Sequence, residues 1–264
     1  MIPLHRIREI AGKIRDAAGE SAEFEAGQML RSVFVMDGTD LTPEARERLE
    51  EMIQRRLQGE PLQYILGEWE FMGLPFAVRP CALIPRPETE NLCEEALTLI
   101  RQKKYKTALD LCSGTGCIGI TLGKLAGVRV TCADIDPDCV ELGRENARSN
   151  GVDITFACGD LFRAVEKEKY DLICCNPPYL SETDMGDLQR EVRFEPELAL
   201  YGGRDGMDFY RRIALSFREH LLPGGTLLLE IGAAQEKVAE FFSGAVVLKD
   251  YAGLPRIIKV EEIS

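Results

Sequence analysis

The sequence predicts an α/β protein, a doubly wound and mostly parallel sheet preceded by a small all-helical domain. Three observations predict it. From Glu88 onward, short apolar runs rich in strand-forming residues alternate with longer amphipathic runs, the pattern of a parallel sheet covered on both faces. Residues 1–60 show only the three-and-four spacing of helices. Between them lies a stretch with a different composition, holding Pro61, Pro75, Pro80, Pro85 and Pro87.

In the first stretch Leu4, Ile7, Ile10 and Ile14 recur at helical spacing, and Phe24, Gly27, Leu30 and Phe34 form a second stripe. Thr42-Pro43 reads as an N-cap followed by proline in the first turn of a helix. Leu49, Ile53 and Leu57 continue that helix until Gly59 and Pro61 stop it. A unit this small buries little core, so residues 1–60 are read as a helical domain for substrate recognition. Residues 61–87 are read as a linker with a hairpin from Phe71 to Val78 around Gly73.

Residues 88–264 then read as one sheet domain. Helix Glu88–Lys103 precedes strand Thr107–Cys112, and a helix from Gly116 precedes strand Val128–Asp134. Helix Pro137–Ser149 precedes strands Ile154–Cys158 and Tyr170–Cys175. Helix Met207–Leu222 leads to strand Gly225–Ile231, and Ala234–Phe242 is helical. Two final runs, Val246–Tyr251 and Arg256–Glu261, lie too close together for a crossover and predict an antiparallel edge hairpin.

Composition narrows the function classes. Asp and Glu outnumber Lys and Arg by 44 to 32, a net charge of -12, and no dense basic run gathers to hold a phosphate backbone. Direct nucleic-acid binding is therefore not expected. The nine cysteines include no Cys-x-x-Cys pair, and His5 and His220 are the only histidines, so no metal site is predicted. Free thiols of a reducing compartment are the simplest reading. No apolar stretch approaches the roughly 18 residues that span a bilayer, and MIPLHRIREI lacks a continuous apolar region. The expected place is the cytoplasm, with no membrane partner.

Strand Thr107–Cys112 runs into Ser113-Gly114-Thr115-Gly116, where an open α/β sheet binds its ligands. Asp134 ends the next strand, placed to accept hydrogen bonds from ribose hydroxyls. Gly114-x-Gly116-x-x-Gly119 with an acid 134 − 114 = 20 residues on matches the nicotinamide-dinucleotide fingerprint. An S-adenosylmethionine site uses the same turn and the same acid, so the loop alone leaves both cofactors open.

The strand Tyr170–Cys175 ends on Asn176-Pro177-Pro178-Tyr179. Proline lacks the N–H that a strand would use, so the backbone here is stiff and rich in acceptors. The Asn176 side-chain oxygen and the Pro177 carbonyl can accept the two N–H bonds of a planar –NH2 group, and the Tyr179 ring can cover its face. Such a clamp orients a poorly nucleophilic amide nitrogen against an electrophilic methyl. Hydride transfer has no evident use for it, which favours S-adenosylmethionine over the dinucleotide.

With these residues the chain resembles the HemK-type protein-(glutamine-N5) methyltransferases. The resemblance runs through GEPLQYILG (59–67), EFMGLPF (70–76), LIPRPETE (83–90), DLCSGTGCI (110–118), Asp134, CNPPYL (175–180), VRFEPELAL (192–200) and DYAGLPR (250–256). It implies a Rossmann-like, seven-stranded S-adenosylmethionine-dependent methyltransferase domain behind a helical domain. The implied substrate is the glutamine of the Gly-Gly-Gln loop of peptide-chain release factors, the implied product S-adenosylhomocysteine, and a monomer is expected. Cys112, Ser113, Gly114, Thr115 and Gly116 would form the cofactor loop, with Asp134 on the ribose and Ile135, Asp160, Leu161 and Asn176 as further cofactor contacts. Asn176, Pro177, Pro178 and Tyr179 would hold the glutamine, with Asn176, Pro177 and Tyr179 as the catalytic set. The family often has glycine where this chain has Cys112 and an aromatic ring where it has Leu161. Arg86 and Glu88, with Arg193 and Glu195, would order the entrance or form structural ion pairs, and Trp69 and Phe71 would pack the linker. The alternatives are an amino-methyltransferase of nucleic-acid bases (N6-adenine or N2-guanine) and a ribosomal-protein glutamine methyltransferase.

Overall fold

The computed structural model describes residues 4–33 and 41–262. It divides into two units: the first runs to Glu68 and takes in Gln189–Phe194, and the second runs from Trp69 to Leu188 and from Glu195 onward.

The first unit packs α1 (Leu4–Ala18), α2 (Ala22–Val33), α3 (Pro43–Leu57) and the short α4 (Leu62–Leu66). Ile10 and Ile14 of α1, Ala26, Met29 and Leu30 of α2, and Leu49, Met52 and Ile53 of α3 are buried. Two residues of the predicted stripes are not: Leu4 and Phe24 are 56% and 55% exposed. Phe24 stands two residues, about 200° of helical rotation, from Ala26. The small Ala22–Ala26 side of α2 faces inward instead, where a phenylalanine would hold the helices apart. Phe34 lies outside the described residues. α3 starts as its sequence predicts, with the Thr42 hydroxyl accepting from the Ala45 N–H (3.2 Å) and Pro43 in the first turn.

A charge is sealed inside this unit. Arg56, 1% exposed, donates from Nε to Glu25 Oε2 (2.5 Å) and from Nη2 to Glu25 Oε1 (3.2 Å) and the Ala17 carbonyl (3.2 Å). It also pairs with Glu191 of the Gln189–Phe194 segment, whose Arg190 donates to the Leu57 carbonyl (2.9 Å). Arg190 lies over Gly59, where any Cβ would come within 2.4 Å of it.

The second unit opens with a hairpin of β1 (Glu68–Phe71) and β2 (Leu74–Ala77). Met72 (φ 52°) and Gly73 (φ 74°) both take the left-handed conformation, as a two-residue primed turn requires. Residues 61–87 are therefore less of a free linker than their prolines predict, since they hold a helix and a hairpin. The Ala77 N–H donates to Asn146 Oδ1 (2.7 Å), and Asn150 Nδ2 donates to the Pro75 carbonyl (2.8 Å). Phe71 is buried edge-to-face on Phe76, at 6.1 Å.

Next come α5 (Pro87–Lys103), β3 (Thr107–Leu111), α6 (Cys117–Ala126), β4 (Arg129–Asp134), α7 (Pro137–Asn150), β5 (Thr155–Cys158) and β6 (Tyr170–Cys175). Two short helices, α8 (Glu182–Gly186) and α9 (Glu197–Leu200), precede α10 (Asp208–Ser216), β7 (Leu221–Glu230), β8 (Val246–Lys249) and β9 (Pro255–Glu261). The seven-stranded sheet has the order β5-β4-β3-β6-β7-β9-β8. It is parallel from β5 to β7, and β9 is antiparallel to both β7 and β8. The predicted helix Met207–Leu222 ends at Ser216, because Leu221 already pairs with Tyr170 as the start of β7. The predicted helix Ala234–Phe242 is a 3-10 turn, Glu236–Phe241.

Strand parity sorts the core. Ala108, Cys132, Cys174 and Leu228 join α5 and α6 on one face. Leu109, Ile173, Cys175 and Leu229 join Tyr210, Phe217 and Val238 on the other. The chain order reverses between β3 and β6, so their carboxyl ends open a crevice. No described helix is long and apolar enough to cross a membrane.

Candidate active site

The crevice lies wholly in the second unit and encloses about 1100 Å³ of empty space, on the scale of a cofactor pocket. Its floor is the turn after β3. Ser113 N–H donates to the Ala133 carbonyl (3.1 Å) and Gly116 N–H to the Ser113 carbonyl (2.7 Å), which folds the turn back over β4. Gly114 and Gly116 have φ of 51° and 77°. Cys112 has φ 59°, a conformation that costs a residue with a Cβ about 1 kcal/mol or more, which is why glycine is natural here. Asn146 braces the turn from behind by donating to the Thr115 carbonyl (3.0 Å).

Asp134 stands at the end of β4 facing the crevice. Its Oδ2 accepts the Gly114 N–H (2.8 Å) and its Oδ1 the Asp136 N–H (3.0 Å). Each oxygen keeps a lone pair for a hydroxyl. Burial raises its carboxyl above the ordinary range, with the two N–H bonds working against that. The Ser113 hydroxyl is buried in the crevice wall without a hydrogen-bond partner. An orphaned hydroxyl, an acid with free lone pairs and a turn without side-chain bulk fit a nucleoside carrying an amino-acid tail.

Gly119, the last glycine of the dinucleotide-like spacing, plays a different part. Its N–H donates to Asp110 Oδ2 (2.8 Å), and a Cβ there would come within 2.4 Å of Cys132 Sγ. It sets α6 against the sheet, so the full spacing says little about the ligand. Asp110 is fully buried, and desolvation pushes its carboxyl up to about 7.

Cys112, Ser113, Gly114, Thr115, Asp134, Ile135, Asp160, Leu161 and Asn176 all line the crevice, and Gly116 shapes the turn without lining it. Asp160 is held by Arg212, whose Nη2 lies 2.6 Å from both of its oxygens. Phe209 of α10 also lines the crevice and offers a ring beside Leu161, where the sequence shows none.

Of the Asn-Pro-Pro-Tyr motif, Asn176 and Pro178 line the crevice, whereas Pro177 and Tyr179 sit behind that surface. The motif is held rigidly. The Tyr179 carbonyl accepts from Gln235 Nε2 (2.8 Å), and Leu180 exchanges backbone bonds with Leu200 and Gly202 (2.8 Å each). A Cβ on Gly206 would come within 2.3 Å of the Tyr179 carbonyl. Burial, reinforced by the charge of Glu230, pushes the Tyr179 phenol up to about 12, so it stays protonated. Arg86 pairs with Glu195, whose other oxygen accepts the Ile84 N–H (3.1 Å). That pair ties the LIPRP loop, which lines the crevice at Leu83, Pro85 and Arg86, to the FEP segment. Glu88 is exposed, and Arg193 belongs to the first unit.

Two residues at this site escaped the sequence reading. Asn176 Nδ2 donates to Thr89 Oγ1 (3.2 Å) from the first turn of α5. Glu230, ending β7, lies beside Asn176 because Cys175 is in register with Leu229. The available signal was an acid closing the apolar run LLLE, as Asp134 closes its own strand.

The comparisons with known proteins agree with this geometry. Residues 7–67 match the PrmC N-terminal domain, and residues 94–192 match the methyltransferase small domain. The release factor glutamine methyltransferase of Koribacter versatilis is 39% identical over 233 residues, 86% of this chain and 83% of that protein. This chain belongs to the release factor glutamine methyltransferase family. The release factor glutamine methyltransferases of Geobacter sulfurreducens and Aquifex aeolicus are 37% and 35% identical, over 94% and 96% of this chain and 92% and 94% of theirs. Among solved structures, a methyltransferase of Pyrococcus furiosus superimposes with a TM-score of 0.55 at 17% identity, covering 73% of this chain and 91% of its own. A 16S rRNA N2 methyltransferase of T. thermophilus gives 0.53 at 19%, covering 74% and 49%. These structures share the fold of the sheet unit, and family membership rests on the sequence relatives.

Proposed function

We propose that this enzyme transfers a methyl group from S-adenosylmethionine to the side-chain amide nitrogen of the glutamine in the Gly-Gly-Gln motif of peptide-chain release factors, supporting translation termination. One observation carries the reading. The strand register β3–β6 brings the glycine turn and Asn176 to one crevice, with the Asn176 –NH2 turned to Thr89 and its carbonyl oxygen left for a substrate.

Residues 112–116 cradle the amino-acid part of the cofactor, and Asp134 accepts from its ribose. Bound there, S-adenosylmethionine supplies an electrophilic methyl on a positively charged sulfur. Asn176 Oδ1 accepts one N–H of the glutamine amide and the Pro177 carbonyl accepts the other. With both hydrogens held, the nitrogen lone pair is aimed at the methyl and the developing positive charge is stabilised by oriented dipoles. The Tyr179 ring covers the amide and excludes water. The product proton leaves to solvent after the N–C bond has formed, so no strong base is required at the nitrogen. The helical unit holds the release factor protein.

The test is mass spectrometry of purified release factor incubated with this protein and S-adenosylmethionine, with oligonucleotides in parallel. One methyl on the Gly-Gly-Gln glutamine is expected. Asn176→Ala should lower the turnover rate by about 10²- to 10³-fold, the scale of losing one oriented group at a charged transition state. Its effect on cofactor affinity should be much smaller. Methylated oligonucleotide with unmodified release factor would overturn the substrate and leave the clamp chemistry standing.

A further inference from the structure

Glu230 is 1% exposed, yet its Oε2 has no hydrogen-bond partner. It ends β7 one position beyond the Cys175–Leu229 pair, so it and Asn176 leave neighbouring parallel strands at the same level. Cys174 and Leu228 face α5, and side chains two residues further along each strand return to that face. Asn176 and Glu230 are therefore turned together toward the start of α5, where Thr89 is buried. The Asn176 –NH2 donates to Thr89 Oγ1 (3.2 Å), and both the Thr89 hydroxyl and the Asn176 amide reach the Glu230 carboxyl.

An ionised carboxylate only accepts hydrogen bonds, whereas the two ends of an asparagine amide are a donor and an acceptor. Turning the Asn176 oxygen inward would set it against that anion. Turning the –NH2 inward satisfies the anion and sends the oxygen into the crevice. Resting on the amide-methylation reading above, we propose that Glu230 and Thr89 are positioning residues. They fix the rotamer of the Asn176 amide so that its oxygen always faces the substrate amide. Neither needs to touch the reacting atoms. The protonated acid loses this discrimination, because a carboxylic acid donates as well as accepts.

The surroundings make the acid responsive. Burial pushes Glu230 up to about 7. Arg256 from β9 opposes that rise, and Glu88 from α5 adds to it. Tyr179 and Tyr210 face it as neutral phenols, the Tyr210 hydroxyl donating to the Glu230 backbone carbonyl (2.8 Å). The thiols of Cys93 and Cys117 complete the set, both raised by burial and so uncharged.

Two measurements test the proposal. In the first, the Asn176 side-chain –NH2 signals of the S-adenosylmethionine-bound protein are followed by ¹H–¹⁵N NMR from pH 5.5 to 8.5, assigned by their loss in Asn176→Ala. They should move with one titration that disappears in Glu230→Gln. Signals that ignore pH, or that titrate equally in Glu230→Gln, overturn the proposal whatever the enzyme methylates. In the second, release factor methylation is measured for Glu230→Gln, Thr89→Val and Thr89→Ser. The first two should lose about 10- to 100-fold in kcat with little change in cofactor Kd or substrate KM, and Thr89→Ser should recover most of the rate. The wild-type rate should rise with pH through neutrality, and Glu230→Gln should lack that limb. Wild-type kcat in both Glu230→Gln and Thr89→Val overturns the proposal, and Thr89→Val decides it if Glu230→Gln fails to fold. A wild-type protein inactive on release factor whose Asn176 signals still titrate with Glu230 would sink the substrate reading alone.

Discussion

In the helical unit Arg56 is buried among acceptors, with Glu25, Glu191 and the Ala17 carbonyl around it. In the sheet unit Glu230 and Asp110 are as deeply buried, yet each keeps one carboxylate oxygen without a hydrogen-bond partner. The helical unit neutralises its buried charge in place. The sheet unit leaves its buried acids under-compensated, and their carboxyls rise to about 7. A sealed ion pair mainly defines how helices meet, and removing one partner strands the other. An under-compensated acid at a crevice is costly for folding but available to chemistry. The contrast separates a device for assembly from a device for function.

The most forceful way to break the comparison is Arg56→Met. It leaves Glu25 buried without its cation, and the expected loss is about 3–5 kcal/mol in unfolding free energy. Urea titration followed by circular dichroism reads it. Replacing Glu25 by leucine in the same chain should recover most of the loss, because an apolar pair of similar volume carries no stranded charge. If Arg56→Met costs no more than a surface substitution, the sealed-charge account of the helical unit is wrong.

The second break runs through pH. Glu230 is raised from 4.5 to about 7, so between those values the folded state holds a proton that the unfolded chain has released. The folded protein is then favoured at the acid end, and stability falls as pH rises through this window. For Glu230 alone the drop is about 3 kcal/mol, from 1.36 kcal/mol for each unit of displacement. Asp110, raised from 3.8 to about 7, pushes the same way. Glu230→Gln should flatten part of that slope, measured as urea midpoints from pH 4.5 to 7.5. A slope equal to wild type would show that Glu230 is compensated after all.

What could be read from sequence follows the same divide. Residues 112–116, Asp134 and Asn176 were legible because each ends a strand, and an alternating α/β pattern sends strand ends to one crevice. Thr89 and Glu230 were not, because their meeting with Asn176 depends on which strands are neighbours and in what register. Sequence order places β6 after β5, while space places it beside β3 and β7. Phe24 was misread for a different reason. Periodicity shows that α2 has an apolar side, but a short helix with alanines on one face and a phenylalanine on another leaves the inward face undecided until its neighbours are present. Gly119 matched a ligand-binding spacing and serves helix packing, so the motif was legible and its purpose was not.

A third and smaller effect sharpens the contrast within the sheet unit. Asp134, unlike Glu230, is met by two backbone N–H groups and faces the crevice. Asp134→Asn keeps the shape but replaces one acceptor oxygen with a donor and removes the charge. Cofactor affinity should fall by about 10- to 100-fold, the worth of a charge-assisted hydrogen bond. Titration calorimetry with S-adenosylmethionine checks it. An unchanged Kd would remove Asp134 from the ribose and leave it as a brace for the Gly114 turn.

The smallest effect concerns how each unit begins a helix. α3 is capped by its own sequence, the Thr42 hydroxyl accepting from the Ala45 N–H. α6 begins at Gly116 with no side-chain cap of its own, and the Gly119 N–H in its first turn is met by Asp110 from β3. The first arrangement is local and the second depends on the sheet, so they should fail differently. Thr42→Ala should cost about 1 kcal/mol of stability, the usual worth of such a cap, with cofactor affinity unchanged. Asp110→Asn should disturb the glycine turn and lower cofactor affinity together with stability, since the same carboxylate anchors α6 behind the crevice. Paired thermal melts and calorimetry on the two variants distinguish the cases. If Thr42→Ala altered cofactor binding as much as Asp110→Asn, the division between a unit that assembles and a unit that reacts would not hold.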